Sequence, residues 1–447
     1  MKPKEPKQTG QVDMFRSRLD QIIRLDHPKV ILASKIDWSV LADRLGAAYS
    51  DKPGHPALPT RLMAGLQILK YTENLSDEVL CDRWVENPYY QYFCGEEFFR
   101  HELPFDRSSM TRWRQRMGED KLEALLQESL SVAVKLGAAR PADFTEVIVD
   151  TTVQEKNITF PTDAKLTHRA REKLVALAKA SGLKLRQAYT RVSKIALIMQ
   201  QRYAHAKQFK RSRKCLKKLR TYLGRTIRDI ERQIKDKPAL DKIFRSLLYK
   251  AERVRTQKPR DGKPHIYSLH APETECIGKG KAHKPYEFGV KASITTTLHR
   301  SQGGQFALHA KAMPGKPYDG HTLQTIIPAI EAMLGGTLTR ILADAGYRGH
   351  KAPDTHKFKV FTSGQKRGVT PAIKKLMKRR AAVEPVIGHI KSDHRMSRNY
   401  LAHKTGDATN VVLAAAGYNF SLILKWIRLL CAYLWAAIIN IQTLKNA

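Results

Sequence analysis

Between Pro161 and Arg260 the sequence carries 30 lysines and arginines against 7 aspartates and glutamates, a net charge of +23 in 100 residues. Like charges this dense repel one another in any compact fold, so the segment must spread them over solvent-facing surface or lay them against a polyanion. The apolar residues Phe209, Leu216, Leu219, Leu223, Ile227, Ile230 and Ile234 recur at gaps of 7, 3, 4, 4, 3 and 4. That period predicts one stripe of an amphipathic helix, ended by Pro238, with a second helix through Ile243, Phe244, Leu247 and Leu248 packing back on it. The remaining faces are basic, as in Lys210, Arg211, Arg213 and Lys214. A solvated charged face is the plainer reading. Acidic partners are too scarce for it, which favours a helical arm that contacts phosphate.

The whole chain has 447 residues, a net charge of +37 and 42% apolar residues. Such a chain buries sizeable cores, and its length suggests about three domains at roughly 150 residues each. Nucleic acid is the leading polyanion and an anionic membrane surface the second. Cys81, Cys94, Cys215, Cys276 and Cys431 are scattered and form no C-x-x-C pair, so neither a disulfide framework nor a zinc finger is indicated. The opening Met1-Lys2-Pro3-Lys4 lacks the apolar core of a signal peptide, which fits the reducing cytoplasm. Near the other end, Phe420 to Ile441 is apolar but interrupted by Lys425 and Arg428. Its uninterrupted run, Leu429 to Ile439, is 11 residues, short of the ~20 that span a bilayer. It is read as a buried helix.

Residues 1–12 read as a loose basic tail. From about 55 to 136 the pattern is helical. Thr60, Ser76, and Ser108 or Ser109 can cap three helices, the last carrying Arg112, Arg114 and Arg116. This suits a helix-turn-helix-like module, with a helical bundle as the alternative. Glu146 to Thr152 reads as a strand, Phe288–Thr297 and Gln305–Lys311 as a hairpin, Thr322–Met333 as a helix, and Thr337–Ala343 and Phe358–Thr362 as strands, with helix from Pro371. The order describes a mixed sheet with helices on it and a long helical insert after the first strand.

Three acids stand out against this frame. Asp150 closes the first strand, Asp344 follows Ile341-Leu342-Ala343, and Glu384 lies in a helical stretch. Transfer of a phosphodiester needs an activated oxygen, in-line geometry and neutralised charge, and two divalent ions held by convergent carboxylates supply all three. Pro385 is tolerated only in a first turn, so the helix bearing Glu384 either starts near Val383 or kinks there. His389, His394 and Arg395 lie near in sequence, and the histidines read as fold residues, because no partner completes a metal set. His321 reads as a helix-start residue beside Asp319 and Thr322.

With these elements in order, the chain resembles bacterial insertion-sequence transposases of the DDE class, in the group typified by insertion sequence 5 and its relative insertion sequence 4. The D-x-G-Y element matches Asp344, Gly346 and Tyr347. The Arg, Glu and Lys of the helix signature match Arg380, Glu384 and Lys391. The signature's Tyr is replaced by Met377. Pro59 to about Met117 resembles the group's N-terminal domain, and Asn410 to Phe420 its closing segment. The 193 residues between Asp150 and Asp344, against 39 between Asp344 and Glu384, put the large insert after the first strand.

The resemblance implies an α/β catalytic core, an RNase H-like mixed sheet flanked by helices, with an N-terminal helical domain and a long basic helical insertion. The boundaries expected are 13–140 for the helical domain, 141–160 with 264–447 for the catalytic domain and 161–263 for the insertion. It implies DNA strand cutting and joining with two magnesium ions, for which manganese can stand in. Asp150 would bridge the ions, and Asp344 and Glu384 would hold one each. Lys391 and Arg380 would grip phosphate, as would the basic residues of the helical module and the arm. The partners would be the element's inverted-repeat ends and target DNA. The protein would be a homodimer at the nucleoid in the cytoplasm, with no membrane attachment. Two alternatives share the charge pattern: a non-catalytic DNA binder derived from such an enzyme, and a metal nuclease that does not join strands.

Overall fold

The computed structural model describes residues 17–49, 56–258, 261–262, 264–278 and 284–445. The expected tail, 1–12, lies outside them, as do residues 13–16 of the expected helical domain. Its helices are α1 (Leu19–Ile22), α2 (Pro28–Lys35), α3 (Trp38–Gly46), α4 (Thr60–Thr72), α5 (Asp77–Glu86), α6 (Pro88–Phe93), α7 (Ser108–Lys135), α8 (Asp163–Ala180), α9 (Thr190–His205), α10 (Phe209–Ile234), α11 (Pro238–Thr256), α12 (Asp319–Leu334), α13 (Pro371–Met377), α14 (Val383–Asp393) and α15 (His403–Lys445). The strands are β1 (Glu146–Glu155), β2 (Glu275–Gly278), β3 (Tyr286–Thr297), β4 (Ala307–Met313), β5 (Arg340–Ala343) and β6 (Val360–Thr362). Two compact units result. One runs to Glu155 and resumes at Val290, and the other spans Lys156–Gly289.

In the first unit, β1 is central because Val147, Ile148 and Val149 are buried on both faces. β5 pairs parallel to it, from Glu146 opposite Arg340 to Val149 opposite Ala343, and β6 pairs parallel to β5. On its other side β1 neighbours β3, and β3 pairs antiparallel with β4. β1 is longer than the sequence pattern suggested. Asp150 therefore sits in mid-strand and does not end it.

The three expected helices of the N-terminal region are α4, α5 and α7. Ser76 caps α5 by accepting the Val79 amide. Thr60 and Ser108 prove to be first helical residues and not caps. α7 changes direction at Gly118, whose φ of 65° lies in the left-handed region that glycine enters without penalty. These helices do not form a separate domain. Leu66, Leu125 and Leu126 share one continuous core with Ile326 of α12 and Leu413 of α15.

The closing segment, Ala-Gly-Tyr-Asn-Phe, joins α15 to both neighbours. A methyl group at Gly417 would meet the Tyr71 backbone at 2.6 Å, so only glycine lets α15 approach α4 this closely. The Asn419 side chain accepts the Ala307 amide (2.9 Å) and donates to the Ala307 carbonyl (2.8 Å), covering backbone groups of β4. The run from Leu429, expected to be a buried helix, is helical but not buried over its described residues; only the turns before it are. Phe420, Ile423, Leu424 and Ile427 are buried, whereas Leu429, Tyr433, Leu434 and Trp435 are exposed. Among the described residues, His403–Ala437 is the one helical span long and apolar enough to cross a membrane.

The second unit, Lys156–Gly289, holds the basic helices read from the sequence as an insertion. Thr162 caps α8 by accepting the Lys165 amide, and Pro238 opens α11 at its first turn, where a missing amide costs nothing. Leu223, Ile227, Ile230 and Ile234 of the expected stripe are buried against Leu174 of α8 and Phe244 and Leu248 of α11. Phe209 and Ile243, expected in the same core, are exposed because each lies on an outward face of its helix. Ile266 and Leu269 complete this core, and the described residues 264–278 and 284–289, expected in the catalytic domain, fall in this unit. There β2 pairs antiparallel with the first residues of β3.

Candidate active site

The parallel register of β1 and β5 places the two aspartates. One step beyond the pair Val149 and Ala343, Asp150 and Asp344 come level on adjacent strands. Side chains alternate between faces along a strand. Asp150 and Asp344 therefore share the face of Ile148 and Leu342, which form a small cluster with Val383 of α14. Packing Val383 on that face brings its neighbour Glu384 to the same rim.

α14 starts at Val383, so Pro385 falls in its first turn and no kink is needed. A 3₁₀ turn, Lys378–Ala382, precedes it and carries Arg380. The guanidinium of Arg380 faces all three carboxylates. It is 3.0 Å from Glu384, 3.5 Å from Asp344 and 3.6 Å from Asp150. Arg380 and Asp150 are largely buried, at 16% and 17% exposure, while Asp344 and Glu384 open to solvent at 48% and 62%. Since one Arg380 nitrogen is 3.6 Å from an Asp150 oxygen and 3.5 Å from an Asp344 oxygen, those oxygens are at most about 7 Å apart, within the span of a two-ion centre.

Each aspartate is held by the amide that follows it. Thr151 donates to Asp150 and Ala345 to Asp344, both at 2.7 Å. Burial pushes the Asp150 carboxyl up to about 6, against the pull of the Thr151 amide and Arg380 and with a further push from Asp344 and Asp319. Beneath them lies Tyr347, whose phenol burial raises far above its usual range. Its hydroxyl faces Thr151 and Thr322 but closes no hydrogen bond of good geometry.

Asp319, at the start of α12, was read in sequence only as part of a helix start. It accepts from Lys291 Nζ and from Thr151 Oγ1, each at 2.9 Å. The available signal was a lysine in the middle of an apolar strand, since buried charge calls for a partner.

No three Asp, Glu, His or Cys side chains among the described residues form a ready cage for a metal ion. The three carboxylates instead surround one guanidinium. Hard oxygen donors gathered on a single positive charge are the donor set that divalent magnesium prefers.

The other expected contacts divide. Lys391 lies two turns beyond Glu384 on α14 and is half-buried. Arg112 and Arg116 are exposed on the first half of α7, Arg116 lying 4.9 Å over the Tyr49 ring. With Tyr49 and Trp113 they line a cavity of about 540 Å³. Arg114 does not join them. It points inward, 4% exposed, and pairs with Asp77 through both nitrogens at 3.0 and 2.6 Å, because its helix position faces the core. Lys210, Arg211, Arg213 and Lys214 are all exposed at the start of α10. His394 is buried and bonded to the Tyr71 carbonyl at 2.8 Å, as a fold residue is, whereas His389 is exposed and pairs with the exposed Asp393 at 2.8 Å. His321 lies in the first turn of α12.

Comparison with known proteins matches two parts of the chain to transposase domains. A family model described as "Transposase domain (DUF772)" matches residues 17–116, and one described as "Transposase DDE domain" matches residues 251–420. An uncharacterized protein, ORF8 in the nfe locus of Rhizobium meliloti, is 49% identical over 209 residues, 47% of this chain and 100% of that protein. No solved structure matches.

Proposed function

The chain belongs to the DDE transposases of insertion sequences, and on that premise we propose that it cuts the ends of its element and joins the freed 3′-hydroxyl to target DNA, with Asp150, Asp344 and Glu384 as catalytic carboxylates. The observation that carries this reading is the meeting of three acids, far apart in sequence, around Arg380. The finer placement beside insertion sequences 5 and 4 rests on the Arg380, Glu384 and Lys391 spacing.

Enzymes of this family use divalent metal ions, and magnesium suits the all-oxygen donor set. Asp150, on the central strand, would hold both ions, with Asp344 and Glu384 holding one each. When bound, the ions activate the attacking oxygen and offset charge on the leaving one. The chain's own residues do the rest. Arg380 neutralises the acids in the ion-free protein. Its planar fork suits two oxygens of one phosphate. Lys391, on the same helix as Glu384, offers a point charge to the neighbouring phosphate. Arg112 and Arg116 on α7, and Lys210, Arg211, Arg213 and Lys214 on α10, supply sequence-independent grip on the backbone. A homodimer, which would bring two element ends together, and a place at the nucleoid are what the family likeness implies.

The test is Asp150→Asn, which keeps the shape and removes the charge. End cleavage should fall on the order of a thousandfold, the scale of several kcal/mol of lost charge stabilisation. Binding of terminal-repeat DNA in a mobility-shift assay should stay within twofold. Undiminished cutting by this variant would end the catalytic reading. A labelled 3′-end assay separates joining from simple cutting.

A further inference from the structure

Outside the three acids, one charged pair is tied to the site by geometry: Asp319 with Lys291. Asp319 is the first residue of α12, and its Oδ1 accepts both Lys291 Nζ and Thr151 Oγ1 at 2.9 Å. Lys291 also donates to the Pro317 carbonyl at 2.8 Å, so its ammonium is fixed from two sides. The second oxygen, Oδ2, faces the turn after Asp344, where a methyl group on Gly346 would stand 3.3 Å from it. One carboxylate therefore touches the residue after Asp150 and packs against the second residue after Asp344. Those are the segments whose amides hold the two aspartates.

We infer that Asp319 is a positioning residue for the transposase reaction: it ties the Thr151 side chain to itself, packs against the turn at Gly346, and so sets the separation of the Asp150 and Asp344 carboxylates, with Lys291 as its counter-charge. The glycine of the D-x-G-Y element then has a physical reason, because a side chain there would push the clamp open. Thr151 gains one as well, since valine would fit the strand but offer no hydroxyl. Asp319 does not touch substrate in this scheme. It acts through the two aspartates, as outer carboxylates do when they orient metal ligands.

The inference rests on the transposase reading, so the experiment carries an arm for each. Full-length wild type, Asp319→Asn, Thr151→Val, the double variant Asp319→Asn with Lys291→Met, and Asp150→Asn are compared. Three quantities are read: binding of terbium alone by sensitised luminescence, affinity for terminal-repeat DNA, and the single-turnover rate of end cleavage at saturating DNA. Asp319→Asn should lose about 10- to 100-fold in cleavage rate and in terbium affinity, the range known for outer-shell partners, with DNA affinity held within twofold. Thr151→Val should lose less, in the same two readouts, and keeps the test valid if Asp319→Asn does not fold. The double variant should stay low. Its recovery to wild-type rates would show Asp319 to be only the counter-charge of Lys291 and would overturn the inference, as would wild-type terbium binding and cleavage in both single variants. Cutting by Asp150→Asn would instead overturn the transposase site itself.

Discussion

The sheet that carries the acids and the helices of the insertion handle charge in opposite ways. At the sheet, each charge occupies one backbone-determined position and answers to a named partner: Arg380 to three carboxylates, Lys291 to Asp319. In the insertion, the few acids are taken up in pairs such as Arg220 with Asp163, Arg232 with Asp229 and Arg253 with Asp261. Most of the basic residues face solvent, as at Lys210, Arg211, Arg213 and Lys214. The first arrangement suits chemistry, where an ångström matters. The second suits a polyanion gripped through many interchangeable contacts.

The sharpest way to break this comparison is to strip the arm. Replacing Lys210, Arg211, Arg213 and Lys214 together by alanine should lower the dependence of log affinity on log salt by up to about 3 to 4, at about 0.9 per lost contact. Cleavage at saturating DNA should not change. Titration at several salt concentrations decides, and an unaltered slope would remove the arm from the interface.

A smaller effect is expected at the sheet. Arg380→Ala leaves three carboxylates facing one another, two of them well exposed and screened, so the cost should be about 1–2 kcal/mol in the absence of divalent ions. Thermal melts with and without magnesium measure it, and magnesium should restore more of the loss than in wild type.

The smallest concerns acid. His309 is wholly buried in β4, and burial lowers its imidazole to about 4, with Lys311 adding to the effect. The unfolded chain takes up this proton near the ordinary value of about 6.5, and the folded chain only near 4. Stability should therefore fall as the pH drops from about 6.5 to 4, and change no further on this account below that. Denaturant midpoints at pH 7 and pH 5 should converge in His309→Asn.

Much of this was legible in the sequence because it rests on local period. The amphipathic stripe of α10, the hairpin of β3 and β4, and the acid after β5 each follow from spacing that a single segment carries. Asp150 was found, although its strand ran on past it, because the β-branched run Val147–Val149 marked the strand whatever its end. What stayed hidden depends on partners distant in the chain. Arg114 reads as a basic surface residue beside Arg112 and Arg116 until Asp77 appears opposite it. Asp319 reads as a cap until Lys291 and Thr151 arrive from other strands. The exposed end of α15 fails for the same reason, since hydrophobicity alone does not say whether anything lies above it.

The amide of Asn419 leaves one lasting mark on how copies of this protein can meet. By occupying both backbone groups of Ala307, it plugs part of the outer rim of β4, where an unpaired strand would otherwise invite another chain to extend the ladder. Along that stretch the ladder is closed to another chain, and a residue-419 variant without the amide would leave two buried Ala307 groups unpaired.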